Sequence, residues 1–339
     1  MQNEKIFILP SVLWLITVVG CQKPAPEIKP EIIHLSRVCR VPKNQGQAES
    51  CWAYAMTGHL ENRLITRNDS VSLSPWFITR KAYEEACQRA FTGKNEKISI
   101  RGMGHTFLSL AQKYGIVRQK DYPEQPQAQL REMNKELNKL LKRYQNAPDS
   151  VSVFYQKAAL IMNRYMGKVP DSVNSYGSHY TDPLSFYHRL TENTKPVTPL
   201  TSLTDQPFNR YIPLNYPDNY EHRLFLNLPL DSLCNLTVKT IQEGGTVVWE
   251  GDISNDGFYW REGLAVWHGK TVSAEDRQSN YQKGLLHDNH AILLMGLARD
   301  SNGSLYLIGQ NSWGRKNRYG GYLYMSMDYF RMWTVAIFL

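Results

Sequence analysis

The sequence predicts an α+β fold in which helices come first and antiparallel strands follow. Apolar residues recur with helical spacing from Cys51 to Leu64 and again from Leu130 to Tyr144. Later in the chain, two short apolar runs flank a Ser-Asn-Gly turn at 301–303, a pattern typical of a β-hairpin. The length of 339 residues is enough for two compact units or one large two-lobed unit.

The composition is that of a globular protein. The chain is 42% hydrophobic and 21% charged and has 5 Cys, which excludes a disordered, collagen-like or disulfide-dense protein. Lys and Arg exceed Asp and Glu by 39 to 31, but no basic run of five residues occurs. The excess therefore indicates a mildly basic surface, and we expect no nucleic-acid partner.

The N-terminal segment predicts export. An uncharged run from Ile6 to Gly20 follows Lys5, which is short for a membrane-spanning helix but suits the apolar region of a signal peptide. Small residues leading into Cys21 resemble the lipobox of bacterial lipoproteins. We expect residues 1–20 to be a lipoprotein signal peptide, Cys21 the lipid anchor and residues 21–30 a tether, which would place the protein on a membrane of the bacterial cell envelope. An ordinary cleaved signal with an incidental Cys is the alternative.

Cys51 is a candidate nucleophile because it begins a predicted helix. Gly46 and the polar residues after it indicate a turn, and helical spacing starts at Cys51. Unpaired backbone donors and the positive end of the helix dipole favour a thiolate at that position. A buried structural cysteine is the alternative explanation for such a residue.

His290 and Asn311 complete a possible catalytic set. His290 stands directly before the first apolar run of the predicted hairpin, and Asn311 follows the second run. Strand pairing would therefore bring the two side chains within reach of each other. Each has an ordinary structural explanation alone, but together with Cys51 they supply an attacking thiol, a proton carrier and a residue that orients it.

These segments resemble the papain family of cysteine peptidases. The matching features are Gln45 ahead of the Cys51-Trp52 pair, the His290-Ala291 strand start, and Asn-Ser-Trp-Gly at 311–314 followed by Gly-Gly-Tyr at 320–322. The resemblance implies that Gln45 helps to stabilise the oxyanion and that Trp313 shields the bond between His290 and Asn311. The family's substrate-binding glycine pair is Arg101-Gly102 here, so Gly102 alone carries over.

The resemblance also implies the architecture. We expect residues 31–339 to form a papain-like two-lobe fold, with a helical lobe that carries Cys51 and a twisted antiparallel sheet or barrel lobe, near 239–339, that carries His290. The segments at 73–87, 133–145, 244–254 and 325–330 resemble the bleomycin hydrolase and bacterial aminopeptidase C branch. Residues 125–238 would be an insertion, helical at first, that walls the cleft or forms an oligomer contact.

The function expected from these residues is peptide-bond hydrolysis by a Cys-His-Asn site. The expected partners are peptide substrates and, through the lipid, a membrane. Cys51 and His290 would form a thiolate–imidazolium pair, with the thiol pKa below its free value of about 8.5. We expect no cofactor and no metal site, and at most one disulfide among Cys39, Cys87 and Cys234. Two alternatives stay open: a non-catalytic peptide-binding lipoprotein, and a thiol amidase or acyltransferase. Whether a peptidase would be aminopeptidase-like or cut internal bonds is also open, as is a homo-oligomer.

Overall fold

The computed structural model describes residues 25–36, 41–65, 71–93, 97–125, 127–146, 150–176 and 179–339. The helices in these ranges are α1 (Cys51–Ile65), α2 (Pro75–Thr92), α3 (Gly104–Tyr114), α4 (Leu130–Tyr144), α5 (Val151–Met166), α6 (Pro183–Thr191), α7 (Leu230–Gln242), α8 (Ala274–Gln282) and α9 (Met327–Trp333). The strands are β1 (Glu31–Leu35), β2 (Val173–Tyr176), β3 (His179–Thr181), β4 (Pro199–Thr201), β5 (Arg210–Pro213), β6 (Leu224–Asn227), β7 (Val247–Gly251), β8 (Phe258–Tyr259), β9 (Leu264–Ala265), β10 (His290–Arg299), β11 (Leu305–Gln310), β12 (Tyr322–Ser326) and β13 (Thr334–Phe338). None of the described helices is long and apolar enough to span a bilayer.

One large sheet dominates the C-terminal half. Its strand order is β5-β6-β4-β13-β7-β10-β11-β12-β9-β8, and β1 also pairs with β10. Two short pairs, β12 with β9 and β4 with β6, are parallel, and the other pairs are antiparallel. Strands β7 and β10 lie in the middle of this order and are buried almost throughout, because they are covered on both faces.

Helix α1 joins the helical part of the molecule to the sheet. Its side chains are buried on nearly every face, so α1 lacks the polar, solvent-facing side that a surface helix has. It packs against β10, and the approach is close at Gly58, where an added Cβ would lie 2.7 Å from Leu293 Cδ2. This contact fixes the N-terminus of α1 relative to the beginning of β10.

The predicted local elements are confirmed. A helix begins at Cys51, the amphipathic helix spans Leu130–Tyr144, and the hairpin is formed by β10 and β11. The sheet is larger than the sequence predicts, because β4, β5 and β6 from the expected insertion extend it through the pairing of Leu200 with Ile337. Strands of three or four residues carry too little pattern to be recognised in advance.

The first part of the expected insertion is helical, as predicted. Helices α4 and α5 pack on each other and on α2. The buried stripe of α4 has the spacing of a helix face and comprises Leu130, Met133, Leu137 and Leu141. A later part of this segment reaches the cleft through Asp218.

The predicted signal peptide, residues 1–20, and the predicted lipid anchor Cys21 lie outside the described residues. Of the predicted tether, residues 25–30 have no regular structure and lead into β1, which pairs with β10 from Glu31 onward. Cys39 also lies outside the described residues, while Cys87 and Cys234 are buried free thiols.

Candidate active site

Cys51 is the first residue of α1, and its thiol is free and partly buried. Burial raises the pKa of this thiol to about 12. Hydrogen bonds from the backbone N–H groups of Ala291 and, to a smaller extent, Trp52 lower the thiol pKa. The carboxyl groups of Asp288 and Glu250 raise it further. The sulfur is thus held beside the first peptide group of β10, next to His290.

His290 begins β10 and is oriented by Asn311. Its Nε2 lies 2.8 Å from Asn311 Oδ1, and both side chains are buried. The Ser312 backbone N–H also donates to Asn311 Oδ1 at 2.7 Å, which identifies that atom as the amide oxygen. Nε2 must therefore be the protonated ring nitrogen in the neutral imidazole, and Nδ1 is left to accept a proton from a thiol.

Burial lowers the pKa of the His290 imidazole to about 4, against the bond to Asn311, which raises it. A single charge on either His290 or Cys51 is therefore disfavoured by the surroundings. The sequence predicts a thiol pKa below about 8.5, whereas burial, which the sequence does not reveal, acts strongly against that value.

Trp313 covers the pair formed by His290 and Asn311. The ring centroids of Trp313 and His290 are 4.7 Å apart, and the indole is held by edge contacts with Trp260 at 5.3 Å and Phe258 at 5.9 Å. The three aromatic rings thus form one cluster, of which Trp313 lies against His290.

Gln45 is fixed by the segment that carries Asn311. Its backbone N–H donates to Ser312 O at 2.8 Å, and its side-chain oxygen accepts a bond from the Ser312 hydroxyl. Its Nε2 donates to Ala48 O at 2.6 Å, which uses one of the two hydrogens on that nitrogen. The second hydrogen has no partner among the described residues.

A cleft of about 180 Å³ brings the predicted residues together. Its lining includes five of the six predicted site residues of the folded region, namely Gln45, Cys51, Gly102, His290 and Trp313. The sixth, Asn311, lies behind His290. The structure thus gathers every one of these side chains at one site, and their catalytic and substrate-binding roles remain predictions.

Arg101 is the residue that the resemblance to the papain family pairs with Gly102. Its guanidinium forms a two-pronged ion pair with Asp218, at 2.8 and 2.9 Å, and donates to the backbone oxygen of Asp288 at 2.8 Å. Gly102, which follows, faces the cleft, where an added Cβ would lie 2.8 Å from Thr106 Oγ1.

Sequence reasoning missed four acidic residues that line the same cleft: Glu49, Asp218, Glu250 and Asp288. Glu250 had a recognisable signal, since it is an acid within an apolar strand that pairs on both sides. Asp288 lies only two residues before His290. Asp218 gave no signal, because nothing local indicates that it meets Arg101.

No group of three or more His, Cys, Asp or Glu side chains in the described ranges is arranged to hold a metal ion. His287 and His290, which lie three positions apart, are bonded to two different partners. His287 Nδ1 lies 2.8 Å from Asp252 Oδ2, and His290 is bonded to Asn311.

Comparison with known proteins gives two kinds of similarity. Residues 171–339 match the Peptidase C1-like family. Two proteins of Lactobacillus delbrueckii subsp. lactis are similar in sequence: aminopeptidase W, 23% identical over 70% of this chain and 62% of its own length, and aminopeptidase C, 24% identical over 68% of this chain and 59% of its own. The chain thus spans about three fifths of the length of these relatives.

The fold is similar to a solved structure. The crystal structure of PepW from Lactobacillus rhamnosis HN001 superposes with a TM-score of 0.71 at 17% identity, covering 92% of this chain and 82% of that one. The papain-like α+β fold that the sequence predicts is confirmed by this likeness.

Proposed function

We propose that this chain is a cysteine peptidase that hydrolyses peptide bonds, with Cys51 as the nucleophile and His290 as the general acid and base. The proposal is carried by one observation. A thiol at a helix N-terminus and an imidazole oriented by Asn311 line one cleft, and an amide donor, Gln45, lines it as well. The match of residues 171–339 to the Peptidase C1-like family supports it.

The first step joins the sulfur to the substrate carbonyl. Because burial disfavours one charge without the other, we infer that the thiol proton passes to Nδ1 of His290, so that thiolate and imidazolium arise together. The sulfur attacks the carbonyl carbon, and the carbonyl oxygen becomes an oxyanion. The Gln45 amide and the Cys51 backbone N–H would donate to it, and one such donor stabilises the transition state by about 3 kcal/mol.

The second step releases the amine, and the third consumes water. His290 gives its Nδ1 proton to the leaving nitrogen as the carbon–nitrogen bond breaks, which leaves a thioester on Cys51. Water then loses a proton to His290 and its oxygen attacks the thioester carbon. The carbon–sulfur bond breaks, the acid product leaves, and the proton on His290 returns to the Cys51 thiolate. Asn311 holds the ring through Nε2 during both transfers, so that Nδ1 remains the nitrogen that moves protons.

Cys51 is tested by substitution and by labelling. We expect Cys51→Ala to lower kcat/KM on peptidyl aminomethylcoumarin substrates at least roughly 10⁴-fold. Iodoacetamide should label Cys51 in the native protein and abolish activity, while the buried thiols of Cys87 and Cys234 stay unlabelled. Cys234→Ala is the matched control and should retain both activity and labelling. Activity that survives Cys51→Ala would refute the assignment.

The relatives named aminopeptidases favour an aminopeptidase-like specificity. The test is a set of paired peptides that differ only in a free or acetylated N-terminus. Cleavage confined to free N-termini supports an aminopeptidase, and cleavage of blocked peptides at internal bonds contradicts it. Mass analysis of the products separates hydrolysis from transfer to an amine, and tight binding without turnover would indicate a peptide-binding protein.

We further propose that Cys21 carries a lipid and that the folded part is tethered to a membrane of the cell envelope. The apolar run before Cys21 and the Pro-rich polar stretch after it support this arrangement. The full chain should partition with membranes and incorporate labelled fatty acid. Cys21→Ser should lose the label, and an unlabelled native chain would contradict the proposal.

A further inference from the structure

Two buried carboxyl groups lie in the cleft beside Cys51 without a cation of their own. Glu250 belongs to β7 and is 1% exposed, and Asp288 precedes β10 and is 7% exposed. One oxygen of Glu250 accepts the Gly104 N–H at 2.7 Å. The other, Oε2, and Asp288 Oδ2 have no hydrogen-bond partner among the described residues. Both side chains line the cleft, and the two unpartnered oxygens are themselves almost fully buried.

Arg101 is the one Lys or Arg in the described lining of the cleft, and its guanidinium is bonded to other oxygens. The Arg101 guanidinium bonds both carboxylate oxygens of Asp218 and the backbone oxygen of Asp288. Its charge does lower the pKa of the Asp288 carboxyl, but burial and the charge of Asp218 have larger effects, and the pKa is raised overall. The described lining of the cleft holds four acidic residues and only one Lys or Arg.

Burying these two carboxyl groups without a cation costs free energy of folding. Burial raises the pKa of Glu250 well above its ordinary range, and the charge of Asp288 adds to that effect. A buried carboxylate is tolerated when it is paired with a cation or holds a proton. The charge of Glu250 is not needed for its bond to Gly104, because the amide oxygen of a glutamine could accept the same N–H. An incoming cation would supply what both unpartnered oxygens lack.

We propose that Glu250 and Asp288 form a subsite that binds an ammonium or guanidinium group of the peptide substrate, on the acyl side of the bond that Cys51 attacks. We place the cation on the acyl side because the Gly104 N–H, which donates to Glu250, lies only two residues after Gly102, the glycine predicted to bind substrate. The cleft of about 180 Å³ has room for such a group. The inference rests on the proposed peptidase function and specifies its substrate class.

The cation could come from two sources, the free α-amino group of the substrate or a Lys or Arg side chain. Three aminomethylcoumarin substrates separate them: acetyl-norleucyl-alanyl, acetyl-lysyl-alanyl and unblocked norleucyl-alanyl. Norleucine matches the four-carbon chain of lysine but lacks its ammonium group. A site for either cation should raise kcat/KM of the corresponding substrate at least about tenfold over the blocked norleucine substrate, the change that 1.4 kcal/mol makes.

The variants Glu250→Gln and Asp288→Asn keep the shape of each side chain and remove its charge. Each should reduce the cation preference, measured as the ratio of kcat/KM values within one variant, to less than about threefold. The exposed Glu243, which lies beyond α7 and pairs with Lys239, supplies the matched control Glu243→Gln. That control should preserve the ratio. A preference that persists undiminished in both cleft variants, or no preference in the native chain, overturns the inference.

The kcat/KM values of the native chain on the three substrates show which group supplies the cation. A preference for the lysine substrate alone assigns the subsite to a basic side chain, and a preference for the unblocked substrate alone assigns it to the α-amino group. If none of the three substrates is hydrolysed, the proposed function fails, but the subsite is still tested by calorimetry. The full-length Cys51→Ala chain should bind acetyl-lysyl-alanyl amide more tightly than the norleucine peptide. Equal binding of these two and of the unblocked norleucine peptide overturns the subsite as well.

Discussion

Removing the amide that orients His290 should lower activity by a limited and calculable amount. In Asn311→Ala the imidazole loses a buried acceptor that lies 2.8 Å from Nε2. During turnover this bond is made by an imidazolium, and hydrogen bonds to charged groups contribute about 1.5–3 kcal/mol. The corresponding fall in kcat/KM is roughly 10- to 150-fold. The assay is initial-rate hydrolysis of an aminomethylcoumarin peptide at pH 7, with thermal unfolding measured in parallel.

Asn311→Asp is the matched control for this prediction. It retains an oxygen that can accept from both His290 Nε2 and the Ser312 N–H, so we expect a smaller loss than in the alanine variant. A loss below threefold in Asn311→Ala, with an unchanged Tm, would refute the positioning role. A loss as large as that of Cys51→Ala would show that the ring cannot work at all without the amide.

Three further predictions concern stability and the shielding of the site. Gly115→Ala should destabilise the protein by about 2–3 kcal/mol in denaturant unfolding, because Gly115 has φ 77 and an added Cβ would lie 2.0 Å from the Pro183 carbonyl carbon; a cost below about 1 kcal/mol would contradict this. Glu250→Gln should raise Tm at pH 8 by roughly 2–4 °C and less at pH 5, since a raised folded-state pKa gives stability that is present below the unfolded pKa and is lost as pH rises; an equal or opposite effect at the two pH values would contradict it. Trp313→Ala should lower kcat/KM roughly tenfold by admitting water to the bond between His290 and Asn311, and an unchanged kcat/KM would remove the shielding role.

The parts of the fold that the sequence predicts are those set by local pattern. The start of α1 at Cys51 follows from helical spacing after a turn, and the hairpin that places His290 near Asn311 follows from two apolar runs around a tight turn. Only the family resemblance predicts that Gln45 lies beside this hairpin. The physical basis of this contact, a backbone bond and a hydroxyl bond to Ser312, spans 267 residues of sequence.

The parts that the sequence does not predict depend on burial and on distant partners. The ion pair between Arg101 and Asp218 joins residues 117 positions apart, and no local pattern indicates it. The thiol pKa is a second example. The sequence predicts the helix N-terminus at Cys51 correctly, but its effect on the thiol pKa is opposed by desolvation, which depends on how the distant parts of the chain pack around the sulfur.

The acidic subsite and the thiol are close enough to influence each other. The carboxyl groups of Asp288 and Glu250 both raise the pKa of Cys51. A cation bound between them would offset that effect and favour the thiolate, and by linkage the thiolate would favour the cation. A cationic substrate would therefore activate the nucleophile that attacks it, in addition to being held beside it.

This coupling predicts a measurable rate change without turnover. n-Butylammonium, which mimics a lysine side chain, should accelerate alkylation of Cys51 by iodoacetamide at pH 7, whereas n-butanol of the same size should not. The acceleration should disappear in a chain that carries both Glu250→Gln and Asp288→Asn, because the charges through which the cation acts are gone. Alkylation that n-butylammonium slows, or speeds equally in the double variant, would show that occupancy of the cleft and ionisation of Cys51 are not linked through these two carboxylates.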